Sequence, residues 1–160
     1  MENSLDEYQL GDQEIVYASF GKRLVASILD GVILYIVNMI IITFFGMSIL
    51  NPGNLNDPDK LMALFGKMIG VYGITLGINW LYYALLESSE KQGTIGKMAM
   101  GIKVVSANNN ARISFAQATG RHFGKFISAI ILFIGYLMML WSNKSQTLHD
   151  SMAGTLVVRQ

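Results

Sequence analysis

The sequence predicts an all-α polytopic membrane protein: two transmembrane helices, a third apolar segment that spans or re-enters, and a small cytoplasmic cap of β-hairpin and short helices. Three observations predict it. Only 14% of the 160 residues are charged and 52% are hydrophobic, where a soluble domain carries about 25% charge. The deficit is local, confined to three runs long enough to matter in lipid. Basic residues gather in the segments on one side of those runs. The length allows one domain, with an acidic lead over residues 1–19 and a core over 20–159.

The first run follows Asp30, after which no charge appears until Asp57. Residues 31–50 are nearly all apolar, with Asn38 the main polar exception, and as a helix they reach about 30 Å, the thickness of the hydrocarbon core. Residues 68–86 form the second run, which extends back to Leu61 through Lys67. Residues 126–143 form the third. The acidic start, Glu2 to Glu14, lacks the basic n-region of a secretory signal, so the first span is expected to be retained. Ser4-Leu5-Asp6-Glu7 has the spacing to cap a short helix. Asn51-Pro52-Gly53 reads as a turn, and Asp57-Pro58 as an N-cap with proline at the first helical position.

Lys22 and Arg23 precede the first span, and Lys91, Lys97, Lys103, Arg112, Arg121 and Lys125 lie in the 87–125 connection. The positive-inside rule places both segments in the cytoplasm and 51–60 outside. The third run has basic residues at both ends and Gly135 dividing it into halves. Re-entry is preferred over a single crossing because it returns the tail to the cytoplasm. The tail has reason to be there. Residues 101–106, the turn over 107–111 with its three asparagines, and residues 112–115 read as strand, turn and strand. Thr155-Leu-Val-Val158 is β-prone and would supply a third strand. Ser114 to Gln117 has capping-box spacing, opening a helix with Arg121 and Lys125 on one face toward anionic headgroups. Thr147 to Asp150 is another cap, with a short helix ending at Gly154.

Several functions are excluded. Zero cysteine removes disulfides, thiol catalysis and thiolate metal sites. A net charge of +1 offers no basic excess for nucleic acid. Gly93-Thr-Ile-Gly96-Lys97 lacks the spacing of a phosphate loop. His122 and His149 are not at metal-ligand spacing, and no serine sits in a nucleophile elbow. An enzyme and a cofactor are therefore not expected.

The residues that remain carry the signal. Asp30 lies inside the first span, where an acid costs about 2.5–3.5 kcal/mol to insert. It reads either as a cation- or proton-binding carboxylate or as part of a fixed ion pair or helix-helix hydrogen bond that sets the fold; Arg23, two turns earlier, shares its face. Glu87 ends the second run beside Trp80-Leu-Tyr-Tyr83 and reads as a snorkelling interface residue. Asp150, on spacing alone, is a helix-start carboxylate. Gly66, Gly70, Gly73 and Gly77 form one stripe suited to close helix packing.

Phe20-Gly-Lys-Arg23 through Asp30, Glu87, Gly93-Thr-Ile-Gly96-Lys97 through Val105, Arg121 and Leu148-His-Asp150-Ser-Met-Ala-Gly154 together carry a resemblance. In order and spacing the sequence resembles the RDD family of small bacterial membrane proteins, named for one arginine and two aspartates. Ile95 stands where that family usually has proline. The resemblance covers about residues 17–159 and implies a polytopic architecture, with transport as the suggested activity and added weight for Asp150. The resulting expectation is an inner-membrane transporter or exchanger of ions or protons with a cytoplasmic N-terminus. Asp30 would bind a monovalent cation or proton and Arg23 would tune its charge. Asp150 and Glu87 would line the cytoplasmic mouth, with Lys97 and Arg121 completing the cluster. Besides the bilayer, its partner would be a second copy, packed through the glycine stripe. The alternative is a non-transporting adaptor or assembly factor in which the same charges are structural.

Overall fold

The structure is a computed structural model and describes residues 15–47, 49, 56–130, 134–142 and 144–160. The Ser4 cap and the Asn51-Pro52-Gly53 turn lie outside the described residues. Two long helices dominate, α1 (Phe20–Gly46) and α2 (Pro58–Glu87), at 27 and 30 residues. Each exceeds the roughly 20 residues that cross a bilayer. They are not the core of a soluble protein. Their large apolar side chains point outward: Phe44 is 79% exposed and Ile69 72%. Asp57 caps α2 by accepting from the Asp59 amide, with Pro58 in the first turn as expected.

The cap collects at the end of α1 where the helix begins. A five-residue helix α3 (Ile95–Ala99) follows the turn after α2 and leads into β1 (Ile102–Ser106). Helix α4 (Phe115–Ile130) opens with a capping box: the Gln117 amide bonds the Ser114 hydroxyl and the Ser114 amide bonds the Gln117 side chain. A short helix α5 (Ile134–Leu137) and a 3-10 turn (Met138–Leu140) precede α6 (Leu148–Met152) and β2 (Thr155–Arg159).

The strands correct one expectation. The partner of β1 is not its neighbour in sequence but β2, antiparallel with Ile102 opposite Arg159 and Ser106 opposite Thr155. The segment after the asparagine turn adds only a bridge between Val105 and Arg112, and Tyr17 bridges Val158 on the other edge. The Ala18 amide bonds the Val157 carbonyl and the Arg159 amide bonds that of Val16. The segment just before α1 and the strand β2 therefore meet in one small sheet. A two-stranded sheet is marginal alone. Here Ile102, Val104 and Val157 bury against Ala18, Ala26 and Ala84, anchoring it on the long helices.

Two further expectations change. Gly135 lies inside the helical turn α5 rather than at a break between two halves. There a Cβ would stand 2.8 Å from the Ser128 Cβ, so α5 lies directly against α4. Helix α4 also presents its faces the other way round. Arg121, His122 and Ser128 are buried, while Phe123, Phe126, Ile127 and Ile130 are exposed. A polar inner face and an apolar outer face suit a helix wetted by lipid rather than by water.

Candidate functional site

The polar residues singled out in the sequence converge where α1, α2 and the cap meet. Asp150 is fully buried and accepts from Arg23 Nη1 at 2.6 Å. Its second oxygen lies 3.0 Å from Arg121 Nη2. Arg121 Nε is 3.2 Å from Glu87, whose other oxygen pairs with the Lys97 ammonium. The result is a continuous chain of alternating charge: Arg23, Asp150, Arg121, Glu87, Lys97. The Arg121 contacts are close but not aligned as hydrogen bonds, so coulombic attraction dominates them. Burying such charges costs several kcal/mol each, and only the neighbours in the chain offset it.

Local structure places each member. The capping box of α6 orients Asp150: its amide bonds Thr147 Oγ1 and its carboxylate receives the Thr147 amide. Gly154, at φ +61°, ends the helix and turns the chain into β2. Arg23 also donates to the carbonyl of Ser145, which adopts φ +47°, a region uncommon outside glycine. Arg121 donates to Thr155 at 3.2 Å. Burial works against charge on Asp150, but the charges of Arg121 and Arg23 outweigh it and hold the carboxyl below its ordinary range.

Asp30 stands beside this chain without joining it. It does not pair with Arg23. Its oxygens accept from Tyr82 at 2.7 Å, Thr94 at 2.5 Å and the Gly96 amide at 2.8 Å. It thus clasps the start of α3 against α1. Gly96 is required for this approach, since a Cβ there would lie 2.2 Å from the Ala26 carbonyl. Glu87, expected to snorkel toward the interface, is instead 1% exposed and paired inward. Arg121 likewise faces the protein and not headgroups. Among the described residues, a Cβ at Gly66, Gly70, Gly73 or Gly77 would meet nothing within 4 Å, so the glycine stripe is not a site of close packing there. Tyr82 and Thr94 were missed. Thr94 had a signal, as the N-cap preceding Ile95; Tyr82, in an aromatic run, had none.

His149 packs under the network, its ring nitrogens 3.2 Å from Ser128 Oγ and 3.0 Å from Thr147 Oγ1. Burial drives its pKa down to about 3, so its 3.7 Å approach to Asp150 is not an ion pair at neutral pH. In the unfolded chain this histidine takes a proton near pH 6.5. Between those values the unfolded state binds more protons, so stability is lost as pH falls. Thermal unfolding in detergent is expected to show a loss from pH 7 to pH 5, with roughly 1–2 kcal/mol from this group. His149→Gln should reduce that loss; an equal loss in both proteins would clear His149.

A cavity of about 470 Å³ opens beside the network. Arg23, Asp30, Lys97, Arg121 and Lys125 reach it, together with apolar side chains that include Phe20, Leu24 and Leu137.

Comparison with known proteins agrees with this architecture. The chain is 35% identical over 147 residues to protein YxaI of Bacillus subtilis, covering 88% of this chain and 96% of that one. It is 28% identical over 145 residues to the membrane protein YteJ of the same organism, covering 90% and 82%. It is also 38% identical over 87 residues to a proline-rich antigen homolog of Mycobacterium tuberculosis, a match to 52% of this chain and 36% of that protein. No solved structure matches. The family model for the RDD family matches residues 17–154, which contain every member of the charge network. With two bilayer-length helices and that match across almost its whole length, the chain is a membrane protein and belongs to the RDD family.

Proposed function

We propose that the protein is a small multi-pass transporter or exchanger of the cytoplasmic membrane, loading a monovalent cation or proton at the cavity beneath its cap. The observation that carries this reading is Asp30, an acid held within a bilayer-length helix and contributing to that cavity. Intramembrane acids are costly and mark ion pathways. The basic residues of the cap support a cytoplasmic N-terminus and cap. The meeting of Arg23 and Asp150 supports re-entry of the 126–143 segment, since the tail returns to the end where α1 starts. Two spans enclose little volume, and the outward glycine stripe offers a surface for a second copy.

Asp30→Asn in proteoliposomes is the test. With a trapped pH dye and an imposed sodium or potassium gradient, the variant is expected to lose at least tenfold in proton flux. Flux is normalised to the folded, reconstituted protein, because Asp30 also holds α3 against α1. Unchanged flux would end this role for Asp30.

An adaptor or assembly role is the second reading. What favours it is the satisfaction of the carboxylates from within the chain: three donors serve Asp30 and two guanidinium groups flank Asp150. On that reading Asp30→Asn lowers the amount of folded protein, and no gradient-driven flux is seen in the parent.

A further inference from the structure

The two long helices carry a line of polar side chains that the charge network does not use. On α2, Thr75, Asn79 and Tyr82 stand at i, i+4 and i+7 and share one face. Thr75 is buried and Asn79 half-buried, while Tyr72, Ile74 and Leu76 are exposed. On α1, Asn38 is half-buried among the exposed Ile36, Met39 and Ile40. Tyr82 reaches Asp30 at one end of the line. One turn away, Asn38 Nδ2 donates to Asn79 Oδ1 at 3.5 Å. Asn38 lies about 12 Å beyond Asp30 along the helix, near the middle of the apolar run 31–50, and Asn79 near the middle of 68–86. The pair therefore sits at mid-depth of the two apolar runs.

An asparagine pair in lipid ordinarily serves as glue between helices. This pair is poorly made for that purpose. Two facing amides can exchange two bonds, each nitrogen to the other's oxygen. Here the Asn38 nitrogen makes one, at the outer limit of length. Asn38 Oδ1 is buried and accepts from no donor among the described residues. A buried acceptor left that way is unfavourable in an apolar surround, and a positive centre relieves it. Thr75 turns its proton to the Tyr72 carbonyl at 2.9 Å, which leaves its own oxygen able to accept.

We propose that Asn38 and Asn79 form a second station for a monovalent metal cation, at mid-depth in the membrane, and that this station discriminates among cations. Amide oxygens are neutral donors that replace the hydration shell of such an ion, as carbonyls do in selectivity filters, and they hold it loosely enough for release. From Asp30 and Tyr82 to the asparagines and on to Thr75, the ion would meet a polar group about every helical turn. The station rests on the transport reading above and deepens it, naming residues other than Asp30 that the cargo meets.

Proteoliposomes with a trapped pH dye test it, driven in turn by equal gradients of lithium, sodium and potassium, with flux normalised to folded, reconstituted protein. The parent is expected to favour one cation at least threefold; equal rates would overturn discrimination. Asn38→Leu, which eases insertion of the span, is expected to lower flux at least tenfold. Asn38→Ser and Asn79→Ser keep an oxygen at shorter reach. They should retain flux and change the sodium-to-potassium rate ratio at least threefold. A bond that is only structural predicts less folded protein with parental rate and ratio per folded molecule, and that result would overturn the station. Flux lost in Asp30→Asn but parental in all three asparagine variants overturns the station alone. A ratio that moves with the asparagines while Asp30→Asn keeps parental flux supports the station and overturns only the role of Asp30. No gradient-driven flux in the parent overturns both. Should Asn38→Leu fail to fold, the ratio in the serine variants decides.

Discussion

Asp150→Asn is expected to remove most folded protein from detergent extracts. The substitution keeps the size of the side chain and much of its cap on α6. It deletes the one carboxylate that faces both Arg23 and Arg121, at 2.6 and 3.0 Å. Breaking one side of a buried pair costs about 3–5 kcal/mol because the surviving charge stays buried without compensation. Here Arg23, 11% exposed, loses the carboxylate it bonds, and Arg121, 3% exposed, is left with Glu87 alone among the described carboxylates it meets. A domain's whole stability is about 5–15 kcal/mol, so the loss is decisive. Fluorescence-detected size exclusion and thermal unfolding would measure it. A variant with the parent's midpoint would show that the network does not hold the tail to the helices. Arg23→Met together with Asp150→Leu should recover part of the loss, since apolar replacement of a buried pair is often tolerated.

Gly96→Ala is the second large effect, and its origin is steric. The new methyl would sit 2.2 Å from a backbone oxygen of α1 and 2.9 Å from the Asp30 carboxyl carbon. Overpacking costs about 1–3 kcal/mol where side chains can yield; a helix carbonyl cannot swing aside. Helix α3 would have to withdraw from α1, breaking the bonds of Asp30 to Thr94 and Gly96 and shifting Lys97 from Glu87. Loss of at least 3 kcal/mol is expected, read as a lowered unfolding midpoint. Gly73→Ala, facing open space, is the matched control and should leave the midpoint of the monomer unchanged. Similar midpoints for the two variants would contradict the close approach.

Much of this architecture was legible in the residues. Charge-free runs marked both long helices, and Asp57-Pro58, Ser114 to Gln117 and Thr147 to Asp150 announced their helix starts through local hydrogen bonding, which depends on near neighbours alone. Asp30 stood out because an ionisable group is rare inside an apolar run, with Arg23 on its face; Lys97, Arg121 and the added weight of Asp150 came from the resemblance to the RDD family. Their pairing was not legible. Glu87 at the end of an apolar helix looks like a snorkelling residue unless the chain reverses after it and brings Lys97 back. Arg121 and Lys125 share a helical face, but periodicity does not say whether that face meets lipid or protein. The tail strand at Thr155-Leu-Val-Val158 was legible and does join β1; what was not is that the segment after the asparagine turn adds only a bridge at Arg112. Tyr82 gave no sign of bonding Asp30, because a tyrosine among aromatic residues near a helix end has interface anchoring as its ordinary explanation.

The bond between Arg23 and Asp150 joins positions 127 residues apart, and β2 pairs with β1 on one side and meets Tyr17 on the other. Ribosomes add about 5–20 residues per second, so on the order of ten seconds separates the synthesis of these partners. During that interval α1 and α2 can enter the bilayer, yet Arg23, Arg121 and the edge of β1 still await a tail that has not emerged. The order of synthesis makes Asp150 and β2 the latch of this assembly, and a chain without them presents unmatched arginines and an open strand edge to the membrane surface and to the cell's quality control.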